Sequence, residues 1–216
     1  MQITWKGQAC IFLSGSAGKE QVRVLVDPYH DSIGFNFPST EADVVLITHD
    51  HPDHNNVQGV KGEPFVISNP GEYDVKGVFI QGIHSFHDGV EGKERGTNTI
   101  YTIEMEDMRL CHLGDLGQKE LTAEQLEKIG NVDILFVPVG GVDTLDGTQA
   151  AEVIEQIEPK LAVPIHYALP KLKYQLDGVD TFLRTMGRKD MEAQPKIMIR
   201  AKDLPTGETS VVVLKP

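Results

Sequence analysis

The chain of 216 residues reads as an α/β protein in which two β-sheets carry helices on their outer faces. Three observations lead there. The first half is a succession of apolar runs of strand length, separated by turns rich in Gly, Ser and Asn. The second half alternates strand-like runs with stretches of helical periodicity, a pattern that expects parallel pairing through crossover helices. No repeat, linker or low-complexity segment interrupts the chain, so residues 1–216 are expected to form one domain with a large core.

Ala9 to Leu13 and Val22 to Val26 read as a hairpin across Ser14-Gly15-Ser16-Ala17-Gly18. The second strand delivers Asp27, followed by Pro28, which removes a backbone donor and suits a strand end. A loop rich in Gly, Pro, Asn and Ser runs from Tyr29 to Glu41, either as part of a binding rim or as a plain connection. Ala42 to Ile47 is a buried strand. Phe65 to Ile67 and Val78 to Ile80 are short strands about the Pro70-Gly71 turn. Thr99 to Glu104 and Met108 to His112 are paired across Glu106-Asp107. Thr122-Ala123-Glu124-Gln125 has the pattern of a capping box opening a short helix. Ile134 to Val137 is a strand, and Ala150, Val153, Ile154 and Ile157 share one face of an amphipathic helix that Pro159 ends. Leu161 to Ile165 is the next strand. Val179, Phe182, Leu183 and Met186 mark a last helix stopped by Gly187, and Ile197 to Ala201 and Ser210 to Leu214 are closing strands.

Twenty basic against 32 acidic side chains leave a formal charge of −12, a surface that repels phosphate backbones, so non-specific nucleic-acid binding is not expected. Cys10 and Cys111 are the only cysteines, and each falls in an apolar run, as core residues of a reducing compartment do; a disulfide between them is the alternative. The first residues lack the apolar core of a signal peptide, and no run reaches membrane-spanning length. The expected location is the cytoplasm, with no membrane partner; whether copies of the chain associate stays open.

The chemistry is concentrated in Thr48-His49-Asp50-His51-Pro52-Asp53-His54, where the buried strand ends. Three of the chain's eight histidines fall within six residues, with an aspartate among them. A His-x-His pair leaving a strand aims two imidazoles at one point. Asp53 and His54, beyond a proline-forced bend, face a second point close by. Imidazoles with a carboxylate suit zinc, and also manganese or iron.

His49-x-His51-x-Asp53-His54 resembles the HxHxDH signature of metallo-β-lactamase-fold hydrolases. Leu25-Val26-Asp27-Pro28, His112-Leu113-Gly114-Asp115 and Pro164-Ile165-His166-Tyr167 resemble three further motifs of that family, in the family's order. The resemblance is nearest to small bacterial members related to ascorbate-6-phosphate lactonase. It implies a four-layer αββα sandwich of two mixed sheets. It also implies two divalent metal ions, zinc first, with manganese or iron as alternatives. One metal would take His49, His51 and His87, the other Asp53, His54 and His166. Asp115 would bridge them, together with a water. Asp53, Asp115 and His166 are the side chains it assigns to catalysis, and Asp27 would hold the ligand loop in place. For the lone histidine expected between the second and third motifs, His87 is the better match because Asp88-Gly89 turns the chain after it; His84 is the rival. Where the family often has a Gly-His pair near its start, this chain has Gly7-Gln8, so that histidine's role does not carry over. His112 is not read as a ligand.

The activity implied is hydrolysis of an ester, lactone or phosphodiester of a small anionic substrate. A nucleotide or nucleic-acid phosphodiesterase and a non-catalytic metal-binding protein are the alternatives. Only 50 residues separate Asp115 from His166, too few for the inserted domain of β-CASP nucleases. No basic arm like that of ribonuclease Z is visible. The oxygen-reducing diiron relatives place glutamate where this chain has His51. Arg95 could receive an anionic group, or could be a solvated loop arginine, and Lys171 and Lys173 near His166 are too few to mark a nucleic-acid site.

Overall fold

A computed structural model describes residues 1–189 and 191–216. The chain opens with an antiparallel meander of β1 (Gln2–Trp5), β2 (Ile11–Ala17) and β3 (Glu20–Val26). The short β4 (Thr40–Glu41), the buried β5 (Val44–Leu46), β6 (Val60–Lys61) and β7 (Phe65–Ile67) follow. A second meander comprises β8 (Gly71–Val75), β9 (Val78–Phe86), β10 (Thr97–Met105) and β11 (Met108–His112). Then come α1 (Ala123–Ile129), β12 (Ile134–Pro138), α2 (Gly147–Ile157), β13 (Leu161–Ile165), α3 (Asp180–Thr185), β14 (Ile197–Met198) and β15 (Ser210–Val211).

These form two large mixed sheets, ordered β14-β1-β2-β3-β5-β7 and β15-β13-β12-β11-β10-β9-β8. Period-two alternation explains how the first sheet is covered. Val44 and Leu46 of β5 face a core shared with the second sheet, while Val45 between them faces the opposite side. There it joins Cys10, Leu25, Tyr29, Ile33 and Ile47 in a smaller cluster. That outer cluster is capped by the 28–42 segment and single 3-10 turns at Asp31–Ile33 and Val57–Gly59, rather than by longer helices. The α-helices all accompany the second sheet, whose β12 and β13 are buried along their whole length, as strands covered on both faces must be.

The strand–helix–strand unit pairs in parallel as expected, from Ile134 opposite Leu161 to Pro138 opposite Ile165. Several elements run longer than the apolar runs predict. The hairpin continues to Ala17 opposite Glu20, so most of the expected loop is strand. Gly15 lies in that extension because the β10–β11 turn comes close: a Cβ there would stand 2.8 Å from Met105 Sδ. β9 continues through His84 to Phe86. The Asn69–Tyr73 stretch, read as a turn, leads into edge strand β8. The closing strands do not pair with each other: β14 lies antiparallel to β1 and β15 parallel to β13. Both cysteines are buried free thiols. No helix among the described residues is long and apolar enough to cross a membrane.

Strand direction places the site. β3, β5 and β7 are mutually parallel, as are β11, β12 and β13, and β9 runs the same way as β11 because both are antiparallel to β10. The loops after β3, β5, β9, β11 and β13 carry Asp27, His49–His54, His87, Asp115 and His166 in turn. Tyr101 ties the sheets together there: its hydroxyl lies 3.0 Å from Ile47 O and 3.3 Å from Ile67 O.

The capping box of α1 is formed, with Thr122 Oγ1 accepting from Gln125 N and Gln125 Oε1 accepting from Thr122 N. Thr122→Ala is expected to lower stability by about 1 kcal/mol. In urea unfolding this should move the midpoint without changing the slope.

Candidate metal centre

The contiguous ligand loop owes its shape to Asp27. This carboxylate is fully buried. Its Oδ1 accepts from Thr48 N at 2.8 Å, and its Oδ2 accepts from Thr48 Oγ1 at 2.8 Å and from His54 Nδ1 at 3.0 Å. Thr48 Oγ1 is in turn 3.0 Å from His49 Nδ1. With Nδ1 of each ring engaged in this way, Nε2 of both His49 and His54 is turned inward. The loop is also pinned to the second sheet, where Thr99 N donates to Thr48 O at 2.9 Å.

Asp115 enters from the opposite sheet. Its backbone N donates to Asn98 Oδ1, and Asn98 Nδ2 donates to Leu113 O and Ser85 Oγ. Gly114 just before it has φ +59°, and a Cβ there would clash with Asn98 Oδ1 and Thr48, so the close approach of the two loops requires glycine. His87 follows β9, with Nδ1 3.2 Å from Asp143 O. His166 follows β13, its N–H donating to Gln8 O at 2.9 Å.

These loops bring all seven sequence-predicted ligand residues together. His49, His51 and His87 form one group, and Asp53, His54, Asp115 and His166 another; within each group the ligand atoms lie within 4.8 Å of one another. Asp115 Oδ2 touches both groups: it is 3.4 Å from His87 Nε2 and 3.9 Å from His49 Nε2 on one side, and 3.2 Å from His54 Nε2 and 3.3 Å from His166 Nε2 on the other. His84, the rival of His87, is exposed on β9 and packs edge-on against Phe86 instead. His112 is a satisfied core histidine, with Nε2 2.8 Å from Ala9 O and Nδ1 accepting from Gly114 N.

The electrostatics are those of a cation site. His49 Nε2, His54 Nε2 and Asp115 Oδ1 are buried and make no hydrogen bond. Orphaned polar atoms of this kind, converging on one point, are costly unless an ion satisfies them. Burial, helped by the neighbouring His54, pushes His49 down to about 2, which leaves it the neutral ring a metal needs. Burial alone would raise the Asp115 carboxyl, but the facing imidazoles of His166 and His54 hold it well below the carboxylate range. Burial would likewise lower His54, yet Asp115 and Asp27 raise it well above its ordinary value. A site that draws a proton onto a buried imidazole this strongly favours positive charge, and a divalent ion satisfies the same carboxylates. The donors fit the metals implied by the sequence.

The chain matches the beta-lactamase superfamily domain over residues 2–166. It belongs to the metallo-β-lactamase superfamily. A superfamily member from Thermotoga maritima is 34% identical in sequence, with a TM-score of 0.78 over 99% of this chain and 98% of that one. A metal-dependent hydrolase of Archaeoglobus fulgidus is 26% identical over 100% of this chain and 96% of its own. One from Pyrococcus horikoshii is 25% identical over 77% of this chain and 84% of its own.

Within this superfamily site, some residues lay outside the sequence reading. Gln8 replaces the histidine often found in the family, yet its side chain still reaches the centre: Nε2 is 3.2 Å from Asp53 Oδ2 and 3.4 Å from His166 Nε2. The Gly7-Gln8 pair was the signal, set aside because the residue type differed. Gln8, Asp27 and His166 all have φ near +50°, so three residues at the site share the sparsely used left-handed backbone. A cavity of about 400 Å³ opens above the centre, and its rim carries Arg95, Val142, Asp143 and Tyr174. Lys171 and Lys173 do not line it.

Removing the Asp27 charge should loosen two rings at once. Asp27→Asn is expected to weaken metal affinity about 10–100-fold while the protein stays folded, which a competitive chelator titration measures. His87→Ala should lose metal, whereas His84→Ala should retain what the unaltered protein holds. Elemental analysis of the two variants side by side checks this, and metal loss only in His84→Ala would reverse the ligand choice.

Proposed function

We propose that this protein is a binuclear metal-dependent hydrolase acting on an ester, lactone or phosphodiester of a small anionic substrate. The observation that carries the reading is Asp115 Oδ2, which lies within 3.9 Å of imidazole nitrogens from both ligand groups. His49, His51 and His87 would hold one ion, Asp53, His54 and His166 the other, and Asp115 both. Zinc suits the donors, as do manganese and iron. When bound, two such ions lower the pKa of a shared water towards ~7 and polarise the carbonyl or phosphoryl oxygen under attack.

The protein's own residues supply the rest. Asp27 and Thr48 keep His49 and His54 in one tautomer and one orientation, so the centre needs no rearrangement as charge develops. Gln8 donates to Asp53 Oδ2, the oxygen 3.5 Å from His54 Nε2, and so holds that carboxylate at the centre. Counting two dications, the carboxylates Asp53 and Asp115 and one hydroxide, the centre carries about +1. An anionic substrate is therefore attracted locally despite the acidic surface.

A phosphodiesterase that tracks a nucleic-acid backbone would need a run of cations along its groove. Arg95 is the only cation among the described residues that line this cavity. A protein that kept the fold for binding alone would have no need of the complete ligand set. We also read residues 1–216 as one domain, because β14 and β15, near the end of the chain, complete sheets begun by earlier strands. Two buried free thiols support a reducing compartment, the cytoplasm.

Elemental analysis after metal reconstitution should find two transition-metal ions per chain; protein that takes up neither zinc nor manganese would refute the reading. Asp115→Ala should lower occupancy of both positions and abolish hydrolysis across panels of lactones, thioesters and phosphodiesters. Full occupancy in that variant would show that Asp115 is not shared.

A further inference from the structure

We propose that Arg95 is the specificity-determining residue of this centre, binding the substrate's anionic oxygen group, and that Asp143 occupies its guanidinium until substrate arrives. The inference rests on the hydrolase reading and adds to it the residue that selects the substrate class.

Arg95 is held in place by the fold. Asp88, directly after His87, is buried, and its carboxylate gathers four backbone donors: Val90 and Gly92 on Oδ1, Glu94 and Arg95 on Oδ2, at 2.7–3.0 Å. The 88–95 loop is thereby wrapped around one side chain. Its backbone is anchored at Arg95 while the Arg95 side chain stays half-exposed at the cavity. A solvated loop arginine needs no such anchoring.

The guanidinium already has an anionic partner. Arg95 Nη2 lies 2.5 Å from Asp143 Oδ2, and both side chains line the cavity that contains His51, His87 and His166. The pair is open to water, with 48% and 37% of the side chains exposed, so it is a weak contact that a better-placed anion can displace. A carboxylate or phosphate can take the guanidinium in a bidentate fork, which adds directional selectivity to charge. Asp143 is also joined to the centre through its backbone, because its carbonyl oxygen is the partner of His87 Nδ1. Its carboxylate can therefore swing away while its backbone goes on orienting the imidazole. The cavity of about 400 Å³ admits only a small substrate, one end at the His/Asp centre and the other at Arg95.

The test uses metal-reconstituted protein and two esters with the same scissile bond, neutral 4-nitrophenyl butyrate and anionic 4-nitrophenyl hemisuccinate. Succinate and methylphosphonate serve as non-hydrolysed probes in calorimetry. Arg95→Ala is expected to raise KM for the hemisuccinate at least tenfold with kcat changed less than threefold, and to leave the butyrate within twofold. Affinity for succinate or methylphosphonate should fall in parallel, the larger loss identifying the preferred anion. Arg95→Lys should recover part of it. Asp143→Asn should move the other way and tighten both anions two- to fivefold. Equal damage to both esters by Arg95→Ala, or unchanged or weakened anion binding in Asp143→Asn, would overturn the proposal and leave the hydrolase reading standing. If neither ester is hydrolysed, the calorimetric changes still decide the role of Arg95, and the loss falls on the hydrolase reading alone.

Discussion

Two buried carboxylates, Asp27 and Asp115, face His54 from opposite sheets, and the architecture is arranged around reconciling them. Burying a carboxylate costs several kcal/mol unless it is matched by hydrogen bonds or opposite charge. Asp27 is matched within the protein, by Thr48 and His54. Asp115 is not: Oδ1 has no partner, and Oδ2 has only imidazoles whose neutral forms would make them metal ligands. The remaining compensation must come from positive charge, either a proton on His54 or a bound cation. Metal binding and stability are therefore coupled here, since ions that bind only the folded state stabilise it.

This constraint accounts for how the loops are built. The candidate ligands follow four different strands, β5, β9, β11 and β13, and converge within a few ångströms, so backbone must approach backbone. Glycine at 114 admits Thr48 and Asn98. Gly140 plays the same part after β12, where a Cβ would collide with the His166 carbonyl. Gln8, Asp27 and His166 accept left-handed backbone, which for residues with side chains costs of order 1–3 kcal/mol each. Tyr101 and the Thr99–Thr48 hydrogen bond then join the sheets at the ligand loop, so the two halves of the centre cannot drift apart independently.

The legible parts of the sequence were those in which the signal is local. β5, β12 and β13 are continuous apolar runs, and the α1 cap is a four-residue pattern. The His49–His54 cluster could be read because its ligands are neighbours in the chain. β1 and β8 escaped for a physical reason. They are short, and β8 buries none of its side chains fully, so no apolar alternation marks it; backbone pairing alone makes it a strand. The choice between His84 and His87 turned on where β9 ends, and apolar content fades after Ile83 although pairing continues to Phe86 opposite Thr97. Asp143 and Tyr174 carry no local signal at all. They reach the cavity only through the tertiary fold.

An acidic surface is compatible with the proposed attraction of an anion to the centre because the two act over different distances. A net charge of −12 is spread over the whole exterior, and at physiological salt its field decays over about 8 Å. Within the cavity the nearest charges are those of the His/Asp cluster, with any ions it would hold, and the Arg95–Asp143 pair, in a medium of lower effective dielectric. Asp143 reduces the positive potential at the mouth, and its proposed displacement from Arg95 would restore that potential where a small anion would sit. A long polyanion would gain nothing comparable, because its further charges would extend beyond the cavity and be repelled by a protein of net charge −12. On the proposed reading the charge distribution would therefore favour a small anion over an extended one, independently of the shape of the cavity.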